Sequence, residues 1–554
     1  MSASSKKKLR KEQNAAQLTE KQLTEQKEAK KLKNYTLTFL VVMAVVLVLA
    51  IVTISVTAIT NSGIRERSTD ALTVGEHTLS NAELNYFYID AINRTYNEWY
   101  EQYGDYTDMY ISWIFGLDVT TPLDKQAYDE EQTYAEYFTD MAVEDAKEIY
   151  AVYDAALAAG HTRTEEEIAD VSETIEAMQT YASLNGVSYG QYLKAVYGNG
   201  AKADTFYNYL DILSVVSSYQ AKYHDGLTYD AAALSAYNKE HFNEFSSFSY
   251  TSFFVNADKF LTGGTTDDDG NTTYSDDEKA AALKAAEEAA KAIVASGADT
   301  AEKLDAAIKE QEKYKDDSSA KSTESEDSLY TSINENIAQW LAEDDRKAGD
   351  ITYLTYTTTE TDADGNEAEV EAGFHVIIMG ERNDNTQQLV NVRHILIKPT
   401  ANTVNEEDGT KYSSDEEWAE AKKKLEAIRD EWLAGEKTED SFAKLATEKT
   451  EDGGSKQAGG LYEDVTPGSM VEEFDAWIFD AARKAGDYEI VKTEFGYHLI
   501  YFVSTSDESY RDHMMENAMR EEDYTKWHDG IVDAATATVL DTSLLELDLI
   551  LANN

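Results

Sequence analysis

Between Asn34 and Ile64 no charged residue occurs, and Leu37 to Ile59 is almost wholly aliphatic. A run of that length exceeds the roughly 20 apolar residues that span a bilayer, so it predicts a transmembrane helix over residues 34–60. The pattern then changes character. Leu72 to Leu79 reads as a short hairpin, and Ser80 followed by Glu83 is a capping-box signature that opens a helix. From there to about His241 the apolar positions follow helical spacing, with helix-length segments Glu130–Ala159 and Thr164–Leu184 closed by Gly160 and Gly186. The region 66–247 is therefore expected to be a helical domain, rich in Tyr and Ala. Most of its rings are expected in the core, with a surplus able to grip extended apolar chain.

From residue 248 onward one pattern occurs twice. Trp340 and the run Arg346-Lys347-Ala348-Gly349-Asp350 return as Trp477 and Arg483-Lys484-Ala485-Gly486-Asp487, a constant offset of 137. Upstream, Tyr250-Thr251-Ser252-Phe253-Phe254-Val255 answers Val392-Arg393-His394-Ile395-Leu396-Ile397; downstream, Gly373-Phe374-His375 answers Gly496-Tyr497-His498. Ser275 with Glu278 and Ser414 with Glu417 cap equivalent helices, and Thr300, Leu304 and Ile308 match Thr438, Phe442 and Ala446. Each copy reads as a strand, two helices, a further helix at the Trp, and closing strands. Two tandem α+β modules are expected, at 248–381 and 388–505. After Ser504 the positions Tyr510, Met514, Tyr524, Trp527 and Ile531 share one helical face, so residues 508–554 are expected to pack back on the helical domain and complete it.

Charge orients the chain. Residues 1–33 hold ten Lys or Arg against four Glu, leaving 39 basic against 101 acidic side chains in the rest. Basic residues before the aliphatic run and acidic ones after it place 1–33 in the cytoplasm as a topology signal and the bulk outside. A cleaved signal peptide is the rival reading, but the run is longer than a usual signal core and no clear cleavage site follows. So acidic a bulk excludes nucleic acid as a partner. There is no cysteine, which removes disulfides, thiol catalysis, thiolate metal sites and a lipid-bearing cysteine together. Two acidic loops, Thr265–Asp276 and Glu360–Glu371, come near calcium-loop spacing but fail it at their ends, and Asp-Gly turns on solvated hairpins are the plainer account.

The second module resembles the parvulin family of peptidyl-prolyl cis/trans isomerases from about Val390 to Ser504. The residues that carry the likeness are Val392 to Ile397, Phe442 with Leu445-Ala446, Gly459-Gly460-Leu461, Gly468-Ser469-Met470 with Phe474, and Thr493-Glu494-Phe495-Gly496-Tyr497-His498. The resemblance implies that His394 and His498 face each other on central strands, that Asp452 faces the substrate carbonyl, and that Thr493 joins their polar network. It implies Leu461, Met470 and Phe474 as the proline pocket and Phe495 as an apolar wall. It implies no cofactor and no metal, since rotating an amide breaks no bond. The first module has Ser252 for the first histidine, lacks the Gly-Gly-Leu segment and carries Asn336-Ile337 near the phenylalanine position, so it is expected to be catalytically silent, with His375 a satisfied core residue. Its expected use is as a spacer or an additional peptide-binding surface.

The whole resembles the membrane-attached secretion foldases of Gram-positive bacteria, the PrsA type, with a transmembrane helix in place of a lipid anchor. That implies a single-pass membrane protein that binds newly exported, unfolded chains containing X-Pro bonds and isomerises them. Two alternatives stand beside it: a holdase that binds such chains without turnover, and a structural partner of secretion or division machinery recruited by the basic segment.

Overall fold

The structure, a computed structural model, describes residues 63–545 apart from 105–106, 115, 119–120, 267–271, 362–366, 402 and 405–410. The segments 1–33 and 34–60 lie outside the described residues, as do the tips of both acidic loops. Among the described residues no helix is long and apolar enough to cross a membrane, and no group of three or more His, Asp or Glu could hold a metal ion. The chain forms two compact units: residues 63–228 with 518–545, and residues 229–517.

After one helical turn at Ile64–Ser68, the first unit forms the hairpin β1 (Asp70–Val74) and β2 (His77–Ser80), then α1 (Asn81–Tyr103). The capping box forms as the sequence requires: Ser80 Oγ accepts from the Glu83 amide, and the Glu83 carboxylate accepts from the Ser80 amide at 2.9 Å. After a short helix at Thr107–Ile114, the long helix α2 (Tyr134–Ala158) begins four residues later than the pattern predicted. Asp129 accepts from the Glu131 and Gln132 amides at 2.8 and 2.9 Å, holding that stretch in a turn, so Thr133 rather than Glu130 becomes the cap. Helices α3 (Glu165–Leu184), α4 (Tyr189–Tyr197) and α5 (Ala203–Gly226) complete the bundle. Its core absorbs much of the tyrosine: Tyr86 lies 5.3 Å from each of the Tyr197, Phe206 and Tyr209 rings. A buried phenol needs a partner. Tyr86 pairs with Thr205, and Tyr209 donates to Asp90, whose carboxyl burial pushes up to about 6.

The second unit begins with α6 (Ala231–His241), which the helical pattern had assigned to the preceding domain. Its first sheet contains β3 (Ser247–Asn256); helices α7 (Asp276–Ala295) and α8 (Ala301–Glu310) follow. Then come β4 (Thr323–Leu329), the short helix α9 (Glu335–Leu341), and the hairpin β5 (Ile351–Thr361) and β6 (Glu367–Asn383). The pattern recurs as β7 (Gln388–Ile397), α10 (Asp415–Ala434), α11 (Glu439–Lys449), β8 (Leu461–Val465), α12 (Glu472–Ile478), β9 (Tyr488–Thr493) and β10 (Gly496–Ser509). The two antiparallel sheets have the same order, β4-β3-β6-β5 and β8-β7-β10-β9. Register is also shared: Ser252 pairs with Ile377 as His394 pairs with Ile500, and Phe254 with His375 as Leu396 with His498. The edge strands β4 and β8 were not anticipated. β4 is largely polar and β8 has only five residues, so neither carries a readable apolar alternation.

The duplicated Arg-Lys-Ala-Gly-Asp run is a turn. In both copies the Arg guanidinium lies 4.2 Å over the Trp ring, and the Asp carboxylate accepts from the Lys amide at 2.9 Å. The glycine adopts φ 88 or 93, a left-handed conformation that favours Gly, and its N–H reaches the closing strand at Met379 or Phe502. The repeat that announces the duplication is thus architecture, not chemistry.

One buried cation gathers the ends of both modules. Arg511, 4% exposed, donates to Phe242 O, Asp384 O, Asn238 Oδ1 and Ser246 Oγ, while its amide reaches Asn385 O. Asn385 in turn donates to Phe245 O and Ser247 Oγ. Arg511 lies on α13 (Tyr510–Ala534), whose residues from 518 onward count with the first unit. There Trp527 stacks on Tyr223 at 3.9 Å, and β11 (Ala537–Val539) pairs with β1.

Removing the Arg511 fork takes a charged donor from the part-buried Asp384 carbonyl and leaves the Phe242 carbonyl with Ser246 Oγ alone, at 3.3 Å. Arg511→Met is expected to lower the stability of residues 229–517 by about 3 kcal/mol, read as an earlier urea midpoint by intrinsic fluorescence. Arg511→Lys, a point charge without the planar fork, is expected to recover less than half of that loss.

Candidate active site

The central strands β7 and β10 bring the two histidines of the second module together. His394 and His498 lie on the same face of the sheet, diagonal across one ladder step, with their Nδ1 atoms 3.1 Å apart and their rings within 13° of parallel. Both are buried, at 3% and 6% exposure. At the outer end of His498, Nε2 meets Thr493 Oγ1 at 2.8 Å. At the outer end of His394, Nε2 meets Asp452 Oδ2 at 3.2 Å and Ser455 Oγ at 3.1 Å. His394, Asp452, Thr493 and His498 are thus one connected network. Ser455 and Tyr462 belong to it too, although the sequence reading named neither. Ser455 donates to Asp452 Oδ2 from its amide and its hydroxyl, and Tyr462 donates to the same oxygen at 3.0 Å. An Asp followed three residues on by Ser is a side-chain-capped turn, and that signal could have found Ser455.

Partners at both ends restrict where protons sit. Burial pushes the Asp452 carboxyl up, but the bond and charge of His394 and the two donors of Ser455 outweigh it and hold the group well below the ordinary carboxylate range. An ionised carboxylate only accepts, so His394 Nε2 carries a hydrogen. Burial, reinforced by the charge His394 carries when protonated, pushes the His498 imidazole down to about 3. A neutral His498 has one N–H. With His394 neutral, Thr493 O–H donates to His498 Nε2 and His498 Nδ1–H donates to His394. With His394 protonated, both bonds reverse. One hydrogen occupies the Nδ1 to Nδ1 contact in either state.

The apolar residues divide. Phe474 stands edge-to-face on both imidazoles, at 5.6 and 5.3 Å, and is 2% exposed. It packs with Val390, Val392, Ile500 and Phe502, so it backs the imidazoles and presents no open face. Met470 is partly buried against the same cluster, and Phe495 is 51% exposed at the rim. Leu461 is displaced from its expected place. It pairs with Arg393, and directly opposed residues share a face, which here is that of α10 and α11. Its neighbour Tyr462, opposite Val392, has the site face and stacks on His394 at 5.0 Å. Strand alternation therefore moves the expected pocket position by one residue. Gly459 and Gly460 allow this approach: both have positive φ, and a Cβ on Gly460 would meet His394 O at 2.3 Å.

The first module shows what happens when the network loses its ends. His375 occupies the register of His498, but Ser252 stands for His394, Tyr356 for Thr493 and Ile337 for Phe474. Tyr356 and Phe254 rings pack on His375, whose Nδ1 is buried with no hydrogen-bond partner. The expectation of a satisfied core histidine is corrected by this: its ring is packed, but one nitrogen is unpaired because both polar neighbours have been replaced. A cavity of about 380 Å³ lies on the His375 side of that sheet, lined by residues including Asn336, Gln339, Trp340 and Leu354, the last directly opposite His375.

Residues 394–504 match the rotamase family described as the PPIC-type PPIASE domain, and this segment is a parvulin-type peptidyl-prolyl isomerase domain. The chain is 32% identical over 155 residues to the chaperone SurA of Saccharophagus degradans, covering 27% of this chain and 31% of that protein. It is 28% identical over 180 residues to the chaperone SurA of Methylococcus capsulatus, covering 32% and 36%. It spans about a third of the length of these relatives. Among solved structures, the peptidylprolyl isomerase PrsA of Bacillus anthracis is similar at 22% identity over 27% of this chain and 59% of that one, with a TM-score of 0.17. The SurA relatives are Gram-negative, so they do not carry the expectation of a Gram-positive source.

The depressed His498 value has a sign that can be measured. As pH falls below about 6.5, the unfolded chain takes up a proton that the folded site refuses until about 3. Stability due to this group is therefore lost across that window, by at most about 1.4 kcal/mol per pH unit. The Asp452 contribution is lost only below the ordinary carboxylate value of about 4. Denaturant titrations at pH 6.5 and 4.5 are expected to show a smaller acid loss for His498→Asn than for the wild-type chain.

Proposed function

We propose that this chain is a membrane-anchored extracytoplasmic foldase. On this reading, residues 34–60 form the anchor, 1–33 stay in the cytoplasm, and the rest meets exported chains. Residues 388–505 catalyse cis/trans isomerisation of X-Pro bonds, and the helical region 66–247 with 508–554 holds unfolded clients. Residues 248–381 act as a silent parvulin-like module. The observation that carries the catalytic reading is the buried imidazole pair tied at its two ends to Thr493 and Asp452.

The barrier to be lowered, about 18–20 kcal/mol, is the resonance of the amide. In the planar amide the carbonyl oxygen carries extra negative charge, which the twisted form loses. A fixed carboxylate beside that oxygen raises the planar state more than the twisted one, and each tenfold acceleration needs about 1.4 kcal/mol of such preference. Asp452, with its side chain 20% exposed, is the charged member able to meet substrate. His394, His498 and Thr493, being buried, act through it as positioning residues. Phe495 and Met470 form the apolar flank that takes the proline ring.

The burial of Phe474 favours a second reading, a holdase without turnover, because it narrows the apolar face open to proline. A protease-coupled proline-peptide assay on the full chain separates the two. Wild type is expected to accelerate isomerisation and His394→Ala to lose at least tenfold in kcat/KM, with suppression of client aggregation unchanged. No acceleration by wild type, or an unimpaired His394→Ala, leaves the holdase.

A further inference from the structure

We infer that Tyr462 is a positioning residue that decides which oxygen of Asp452 meets the substrate; the inference rests on the isomerase reading of this site. Four donors converge on Asp452 Oδ2: the Ser455 amide, the Ser455 hydroxyl, the Tyr462 hydroxyl and His394 Nε2. A carboxylate oxygen has about two lone-pair sites, so Oδ2 is saturated and offers nothing to a peptide. Oδ1 takes none of the four. The site therefore presents its negative charge on Oδ1, and that oxygen faces the carbonyl of the residue before proline.

Among the donors Tyr462 has a distinct part. Both Ser455 donors come from the same turn as Asp452 and move with it. His394 approaches from the floor of the site. Only Tyr462 reaches Asp452 from the edge strand β8, and so pins the rotation of the carboxylate relative to the sheet. Its ring is held in place by stacking on His394, at 5.0 Å and 27°. The phenol stays a donor throughout the working range, since burial and the adjacent Asp452 charge push it far up. The titratable groups in contact with Asp452 are His394 and Tyr462, and His498 stands beyond His394, at the other end of that ring.

Tyr462→Phe in the full chain removes the hydroxyl and keeps the ring. The expected result is a roughly tenfold fall in kcat with KM unchanged. A second readout is independent of turnover: the ¹³C carboxyl titration of Asp452, assigned with Asp452→Asn, is expected to shift to higher pH because a donor to the charged form has gone. Tyr462→Leu, which also removes the stacked ring, is expected to lose more kcat than Tyr462→Phe. Wild-type kcat in Tyr462→Phe with an unmoved carboxyl titration overturns the inference and leaves the isomerase reading standing. Lowered kcat with an unmoved titration and an earlier unfolding midpoint also overturns it, since the hydroxyl is then structural only. A wild-type chain with no isomerase activity removes the isomerase reading, and with it the substrate-facing role, even if the titration shifts.

Discussion

One hydrogen between two ring nitrogens 3.1 Å apart is the constraint around which the second module is arranged. Two buried imidazoles cannot both donate into that contact or both accept, so each needs a partner of definite polarity at its far nitrogen. Thr493 can donate or accept and tolerates either direction of the chain. Asp452, held ionised, can only accept and fixes the other end. The strand pairing that places His394 and His498 diagonally, the glycines that let β8 press against His394, and the turn that folds Ser455 back on Asp452 all serve this one arrangement.

Comparing the two modules separates what the fold needs from what the chemistry needs. The capped helices, the sheet order and the Trp-Arg turn are present in both. The differences gather on one face of one sheet, at Ser252, Ile337 and Tyr356. Aromatic packing on His375 there supplies contact without polarity, and an unpaired nitrogen is what remains.

Much of this was legible in the residues. Capping boxes declare themselves because a Ser or Thr and a Glu three positions on satisfy each other locally, whatever the rest of the chain does. The histidine pair was legible because the module is duplicated and motif-rich. What escaped depends on register. Leu461 looked like the pocket residue, but which of two adjacent strand positions faces the site is set by pairing with Arg393 and Val392, which no local pattern records. Edge strand β4 escaped because a strand with little apolar content resembles loop, and β8 because five residues are too few to show a period. The start of α2 departs from the pattern because the Asp129 turn competes with helix for the same amides.

The Arg511 node has a consequence for how such a chain can change. The segments leading into the first module, joining it to the second and leaving the second all converge on a single guanidinium. Each module thus departs from and comes back to one spot, like a loop tied at its base. A cassette of that kind can be copied or altered with little disturbance to the polypeptide on either side.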